Sequence, residues 1–396
     1  MILTNKQTEG LTISIKRYFD KEPYTIISGY AGSGKSTLIK YIISALPVDP
    51  VAEVCYIAFT GKAATVLKQK GCYNATTAHK LLYYSKQLPS GKFIHEPRKN
   101  LEDAYKVIVV DEVSMLPKPM WDLLLSHKIY VLACGDPGQL PPVNPEDNNH
   151  VLDNPHIFLD EIMRQAQDSE IIRLSMHVRE GKPLSSFQAL GEQVKLFSKN
   201  EICTGMYDWA DQILCATNDT RNYINNFIRE KKGYGPEPCV GDKIISLSNH
   251  WEFYSANGNW PLTNGSIGTI DSFFKQNRYT FRYIRTTPIE YMMTHMDFED
   301  DIFMNIPIDY NYLVNNTSTL TPIEIYKMKK NKNCDLEPPY DFAYAYAITC
   351  HKAQGSEWNK VLVFEERFPF NKEEHQKWLY TAITRAKDKL VLIRSS

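Results

Sequence analysis

The chain has 396 residues, 43% hydrophobic and 23% charged, long enough for two or more globular cores and too apolar to be a disordered chain. A formal net charge of −1 provides no global basic field, which disfavours a histone-like or coating role and leaves any nucleic-acid affinity to a local groove with stacking. The eight cysteines show no C-x-x-C pair and no zinc spacing and read as reduced core residues, and no signal peptide or long apolar span is present, so a cytoplasmic protein without membrane contact is expected.

In chain order, the first strong pattern is a β-branched run, YTIISG, followed by GYAGSGKS from Gly29 to Ser36 and then by the helical periodicity of LIKYIISAL. This fits the phosphate loop G-x-x-x-x-G-K-S. Gly29, Gly32 and Gly34, with Ser33 between them, let backbone amides approach phosphates at the positive end of a helix. Lys35 is expected at the β/γ-phosphates and Ser36 on Mg²⁺, with Thr37 beside them in a structural place. A second apolar run, KVIVVDEVSML, ends in adjacent carboxylates. There Asp111 would hold the metal and Glu112 would act as general base on the water that attacks the γ-phosphate of ATP.

Strand-helix pairs recur from Tyr24 to about Pro142 (YTIISG, VCYIAF, VIVVDE, YVLACG), which predicts a parallel sheet with helices on its faces. Within this stretch LYYSKQLPSGKFIHEP carries a Pro-Ser-Gly turn and predicts a protruding β-hairpin. A second α/β region starts at QILCAT and resumes with KVLVFE, a long helix through Arg385 and the strand KLVLIRSS. Between its halves, GDKIISLSN, NGSIGTIDSFF and RYTFRYI are short β runs separated by Gly and Asn, which predicts an inserted β-rich domain. The runs MDFEDD and KMKKNKN read as solvated faces.

Further segments appear in a diagnostic order: KQT at Gln7, FTGKAATVL, ATTAHKLL, GDPGQLPPV, EIMRQ, ITCHKAQGSEWNKV and YTAITRAK. On these motifs the chain resembles superfamily 1, class B DNA helicases of the RecD and phage Dda type. The matches run collinearly from Gln7 to Lys387. Two departures accompany them: Phe59 stands where many relatives have proline, and the chain ends soon after Arg385, as expected of a minimal Dda-sized motor without a nuclease domain.

The resemblance implies an α/β fold of two RecA-like P-loop motor domains. The first spans residues 1–150 with the hairpin at about 83–100; the second spans 151–240 plus 340–396; an SH3-like β insertion occupies 241–339. It implies ATP-driven 5′ to 3′ translocation on single-stranded DNA with duplex unwinding, in replication, repair or recombination. Gln7 would read the adenine edge, Gln139 would sense the γ-phosphate, and Arg164 and Arg385 would be arginine fingers. The strand grip would use Thr60, Gly61, Lys62, Thr77 and His79 from one domain, and Thr217, Asn218, Arg221, Thr349, His351, Lys352 and Gln354 from the other. These are short hydroxyls, amides and cations suited to a sugar-phosphate backbone. Phe93, near the hairpin tip, would stack on the duplex end as a strand-separating pin. Partners implied are single-stranded DNA and duplex junctions, with a single-strand-binding or replication protein as a further candidate, and the chain is expected to be a monomer. Two other classes stay open: an RNA-directed superfamily 1 helicase, and an ATP-gated single-strand clamp or loading factor without processive unwinding.

Overall fold

The computed structural model describes residues 3–87, 93–141, 148–162, 168–258, 260–278, 287–298, 301–330, 337–366 and 371–395. These form two compact units, one of residues 1–82, 97–217 and 348–396, the other of 83–96 and 218–347.

The first unit carries two parallel sheets. One is built from β1 (Tyr24–Gly29), β2 (Val54–Ala58), β3 (Thr76–Thr77), β6 (Val107–Val110), β7 (Tyr130–Gly135) and β8 (Ile157–Leu159), in the order β3-β2-β6-β7-β1-β8. The central strands are buried on both faces, as continuous apolar runs require in a sheet covered by helices. Ile27, Leu38, Ile42, Val54, Val107 and Leu132 meet in its core. The sheet runs past the boundary expected at residue 150, because β8 pairs with β1 in parallel, Ile27 opposite Ile157. Three residues are too few to display a period.

The second sheet has the order β18-β10-β19-β20-β9, from β9 (Val194–Ser198), β10 (Gln212–Cys215), β18 (Ala347–Thr349), β19 (Trp358–Phe364) and β20 (Ala386–Arg394). Its edge strand β9 lies ahead of the QILC strand, with which the sequence pattern of this region starts. The helix leading to Arg385 spans Lys372–Ile383 and stops short of that residue, correcting the expectation that it passes through it. Thr384 caps it, and the chain must turn there because β20 starts at Ala386.

In the other unit, β4 (Tyr83–Gln87) and β5 (Phe93–Pro97) pair as a two-stranded hairpin. The insertion is a five-stranded sheet of order β16-β15-β14-β11-β17, from β11 (Lys243–Ser246), β14 (Ile267–Arg278), β15 (Ile289–Phe298), β16 (Asp301–Asp309) and β17 (Phe342–Tyr344), with antiparallel pairing throughout those ladders. A short pair, β12 (His250–Tyr254) with β13 (Pro261–Leu262), accompanies it. Ile244, Met292, Met296, Phe298, Phe303 and Phe342 form its core. Helices Tyr310–Asn315 and Pro322–Lys330 lie between β16 and β17, where the sequence showed no helical motif.

Candidate nucleotide site and strand-facing residues

The phosphate loop leaves β1 and enters helix Lys35–Ala45 through Gly34, whose φ of 82° is left-handed and favours glycine. Lys35 folds back over the loop, its Nζ donating to the carbonyls of Gly29 at 2.7 Å and Tyr30 at 3.0 Å. The Ser33 hydroxyl is buried with no hydrogen-bond partner among the described residues. A lysine held by carbonyls, an unmatched buried hydroxyl and a helix N-terminus are together a fit for an oxygen-rich anion. Ser36 is exposed at the first turn of the helix, and Thr37 half-buried beside it.

Gln7 reaches this loop from helix Asn5–Phe19. Its Oε1 accepts from the Thr4 amide at 3.1 Å, completing a capping box, and its Nε2 donates to the Ser33 carbonyl at 3.3 Å. It is 1% exposed, so the capping role and the loop contact share one side chain.

The carboxylate pair stands at the exit of β6. Asp111 continues the ladder, its amide donating to Ile57 O at 2.9 Å, while its Oδ1 accepts from the Glu112 amide at 3.1 Å. Glu112 has φ 50°, a left-handed conformation rare for a residue with a side chain, and such strain collects at functional sites. Burial pushes its carboxyl up to about 7, Arg385 opposes that shift, and Asp111 adds to it.

Arg385 comes from the second sheet of the same unit, and its Nη1 lies 3.9 Å from Glu112 Oε1. Its Nε donates to Thr381 O at 3.1 Å and its Nη2 to Thr384 Oγ1 at 3.2 Å, which fixes the guanidinium at 4% exposure. The seam between the sheets is closed by further bonds: Leu140 N donates to Thr381 Oγ1 at 2.9 Å, and Gln354 Nε2 to Leu140 O at 3.3 Å. Gln139 is half-buried in the turn after β7, its amide bonded to Asp136 O. Arg164 lies outside the described residues.

Sequence reasoning passed over two residues at this seam. Tyr380 bonds to both Ala31 and Asp136, and the Arg179 guanidinium lies 3.4 Å from the centroid of the Tyr30 ring. Both line a cavity of about 210 Å³ with Gly138 and Lys377. Tyr380 sits inside the quoted YTAITRAK segment, so position in a motif was the available signal; Arg179 had none.

The expected strand-facing residues divide. Thr60 caps helix Gly61–Gln69 by accepting from Ala63 N at 3.2 Å, with Gly61 and a half-buried Lys62 opening the first turn. His79 is exposed, its ring 5.8 Å from that of Phe59, so the aromatic at the proline position packs on a motif histidine. Gly355 brings the ITCHKAQG segment onto the same helix: a Cβ there would lie 2.7 Å from Ala63 Cβ and 3.5 Å from Thr60 Oγ1. Lys352 is exposed and His351 half-buried in the short helix Cys350–Ala353 that Thr349 precedes. Burial lowers the pKa of His351, which favours the neutral ring.

Besides Thr349, which is 9% exposed, three residues depart from the open track. Gln354 is 4% exposed in the seam, Thr77 is 3% exposed and accepts from Lys80 N, and Thr217 turns its hydroxyl onto Glu366 at 3.1 Å. Each meets a local hydrogen-bonding demand that a linear motif does not display. Asn218 and Arg221 belong to the other unit, at the start of helix Asn218–Lys231, where Arg221 bonds Asn222 Oδ1 at 2.9 Å. The Phe93 backbone begins β5; its side chain lies outside the described residues, so the pin expectation does too.

Among the described residues no cluster of three or more His, Cys, Asp or Glu is placed to hold a metal, and no helix is long and apolar enough to cross a membrane.

Comparison with known proteins adds an independent line. Residues 13–198 match the family described as AAA domain, and residues 344–393 match the UvrD-like helicase C-terminal domain. The chain is 25% identical to the ATP-dependent DNA helicase dda of Enterobacteria phage T4, over 97% of this chain and 98% of that protein. It is 26% identical to the ATP-dependent RecD2 DNA helicase of Deinococcus radiodurans, over 92% of this chain and 46% of that protein. The fold matches the crystal structure of Bacteroides Pif1 bound to ssDNA with a TM-score of 0.56 at 19% identity, covering 100% of this chain and 92% of that one. The α/β fold with two RecA-like parallel sheets is therefore shared with solved helicases. In keeping with the motif series, the chain is similar along nearly its whole length to the dda and RecD2 DNA helicases.

Proposed function

We propose that the chain is an ATP-dependent DNA helicase that moves 5′ to 3′ along single-stranded DNA and unwinds duplex ahead of it. The observation that carries this reading is the approach of Arg385 to Glu112, which joins the two parallel sheets across the phosphate loop. A loop alone supports nucleotide binding. An arginine supplied from a second sheet makes the site sensitive to how closely the sheets meet.

In this reading Lys35, released from the carbonyls of Gly29 and Tyr30, takes the β/γ-phosphates of ATP, while the loop amides and Ser33 hold the remaining oxygens. Mg²⁺ bound through Ser36 and Asp111 would neutralise phosphate charge. Glu112 removes the proton of the attacking water, and Arg385 stabilises the charge that develops on the transferred group. Gln7 contacts the adenine edge, Gln139 senses the γ-phosphate, and Arg164 serves with Arg385 as an arginine finger. Closure shifts the grip on the strand between Thr60, Lys62 and His79 on one side and His351 and Lys352 on the other. Polarity, a cytoplasmic setting, monomeric action and a pin role for the hairpin are parts of the same proposal.

Displacement of an oligonucleotide from duplexes bearing a 5′ or a 3′ single-stranded tail tests it. Unwinding confined to the 5′ tail is expected. Unwinding from the 3′ tail overturns the direction, and ATP-dependent strand binding without displacement would favour a clamp.

A further inference from the structure

Resting on the reading of the cleft as an ATP-hydrolysing site, we propose that Tyr380 is a positioning residue whose hydroxyl reports closure of the two sheets to the phosphate loop. The hydroxyl accepts from the Ala31 amide at 2.9 Å and donates to Asp136 Oδ2 at 2.7 Å. Asp136 is itself oriented, its Oδ1 accepting from Gly138 N at 2.9 Å. One hydroxyl thus ties three segments: the loop that receives phosphate, the GDPGQL turn that carries Gln139, and the helix that leads to Arg385.

The local packing is shaped around this contact. Tyr380 is 1% and Asp136 3% exposed, so water does not compete for either bond. A Cβ on Gly138 would lie 3.1 Å from Tyr380 Cε1 and 3.2 Å from Asp136 Oδ1, tighter than side chains ordinarily pack, which accounts for glycine in that turn. The neighbouring Thr381 accepts from Leu140 N across the seam, so the helix is tied to the GDPGQL segment at two successive residues. If the sheets part, Ala31 N–H loses its partner and Asp136 loses a donor together. The loop and the GDPGQL turn therefore change state with the arginine helix rather than independently of it.

A phenylalanine keeps the ring and its packing and removes both hydroxyl bonds, so Tyr380→Phe separates positioning from bulk. ATP hydrolysis at saturating single-stranded DNA is measured together with ADP affinity by calorimetry, for wild type, Tyr380→Phe, Asp136→Asn and the double variant. The expected result is kcat lowered roughly tenfold in each single variant, as loss of one or two buried hydrogen bonds implies. ADP affinity should stay within about twofold, and the double variant should be no worse than the poorer single one, because the residues act as one unit.

A wild-type kcat in Tyr380→Phe overturns the inference, and so does a parallel loss of kcat and ADP affinity, which would mark a general structural role. If Tyr380→Phe does not fold, Asp136→Asn decides alone: lowered kcat with retained ADP affinity supports the inference, and unchanged kcat overturns it. An inactive wild-type protein would instead defeat the underlying reading of the site.

Discussion

At the scale of single residues, Glu112 combines a strained backbone, a half-buried carboxyl and a cation within reach, the combination expected of a base whose pKa is placed near its working range. Because burial raises that pKa to about 7, the carboxylate form gains as pH rises, and kcat/KM for ATP should climb through an acid limb centred near 7. A pH profile flat from 5.5 to about 8.5 would count against the assignment. Glu112→Gln should still bind ATP while losing hydrolysis by about 10²-fold or more, measured as single-turnover rate. Lys35→Ala should abolish hydrolysis while leaving strand binding measurable by fluorescence anisotropy; full turnover in it would remove the phosphate-loop assignment. These residues were legible because each lies in a contiguous motif flanked by a strand and a helix. Tyr380 and Arg179 were not, since their partners Ala31, Asp136 and Tyr30 are remote in sequence and only the packed sheets bring them together.

At the scale of elements, helix Asn218–Lys231 shows why charge patterns mislead. Its Arg229, one of several charges along a polar helix, is 5% exposed, its Nε 3.0 Å from Asp242 Oδ1, with its guanidinium 4.1 Å from the Tyr344 ring centroid. Asp242 also accepts from Tyr346 and from the Cys239 amide, so the pair sits in a satisfied buried network that docks the helix on β11 and β17. Removing one partner of such a pair strands the other charge. Asp242→Ala should therefore destabilise this unit by about 3–5 kcal/mol in urea unfolding, whereas Arg221→Ala, on the same helix but hydrogen-bonded only to its exposed neighbour Asn222 among the contacts described, should cost under about 0.5 kcal/mol. Equal costs would contradict the distinction. The run MDFEDD teaches the same lesson for strands. Read as a solvated acidic face, it supplies Met296 and Phe298 to the insertion core from the end of β15, because alternate residues of a strand face opposite ways. Acidic neighbours hid that period.

At the scale of the whole molecule, the first parallel sheet was readable from four apolar strands and their following helices, the second from QILCAT, KVLVFE and KLVLIRSS, and the β-rich insertion from the change to short runs punctuated by Gly and Asn. Less legible were the edges. The strands β8 and β9 are short, and what places them is pairing with β1 and β20, information carried by the partner strand rather than by their own sequence. The helices between β16 and β17 were missed for a related reason: one is six residues long and the other has a weak apolar stripe, so their packing partners decide their conformation more than their pattern does. The proposed function requires the cleft between the parallel sheets to hydrolyse ATP in response to a nucleic-acid strand. Steady-state ATP hydrolysis with and without single-stranded DNA, in wild type and in Arg385→Ala, tests it most directly. Strong stimulation is expected in wild type, with loss of turnover under both conditions in the variant while ATP stays bound. Hydrolysis indifferent to DNA, or undiminished in Arg385→Ala, would contradict it.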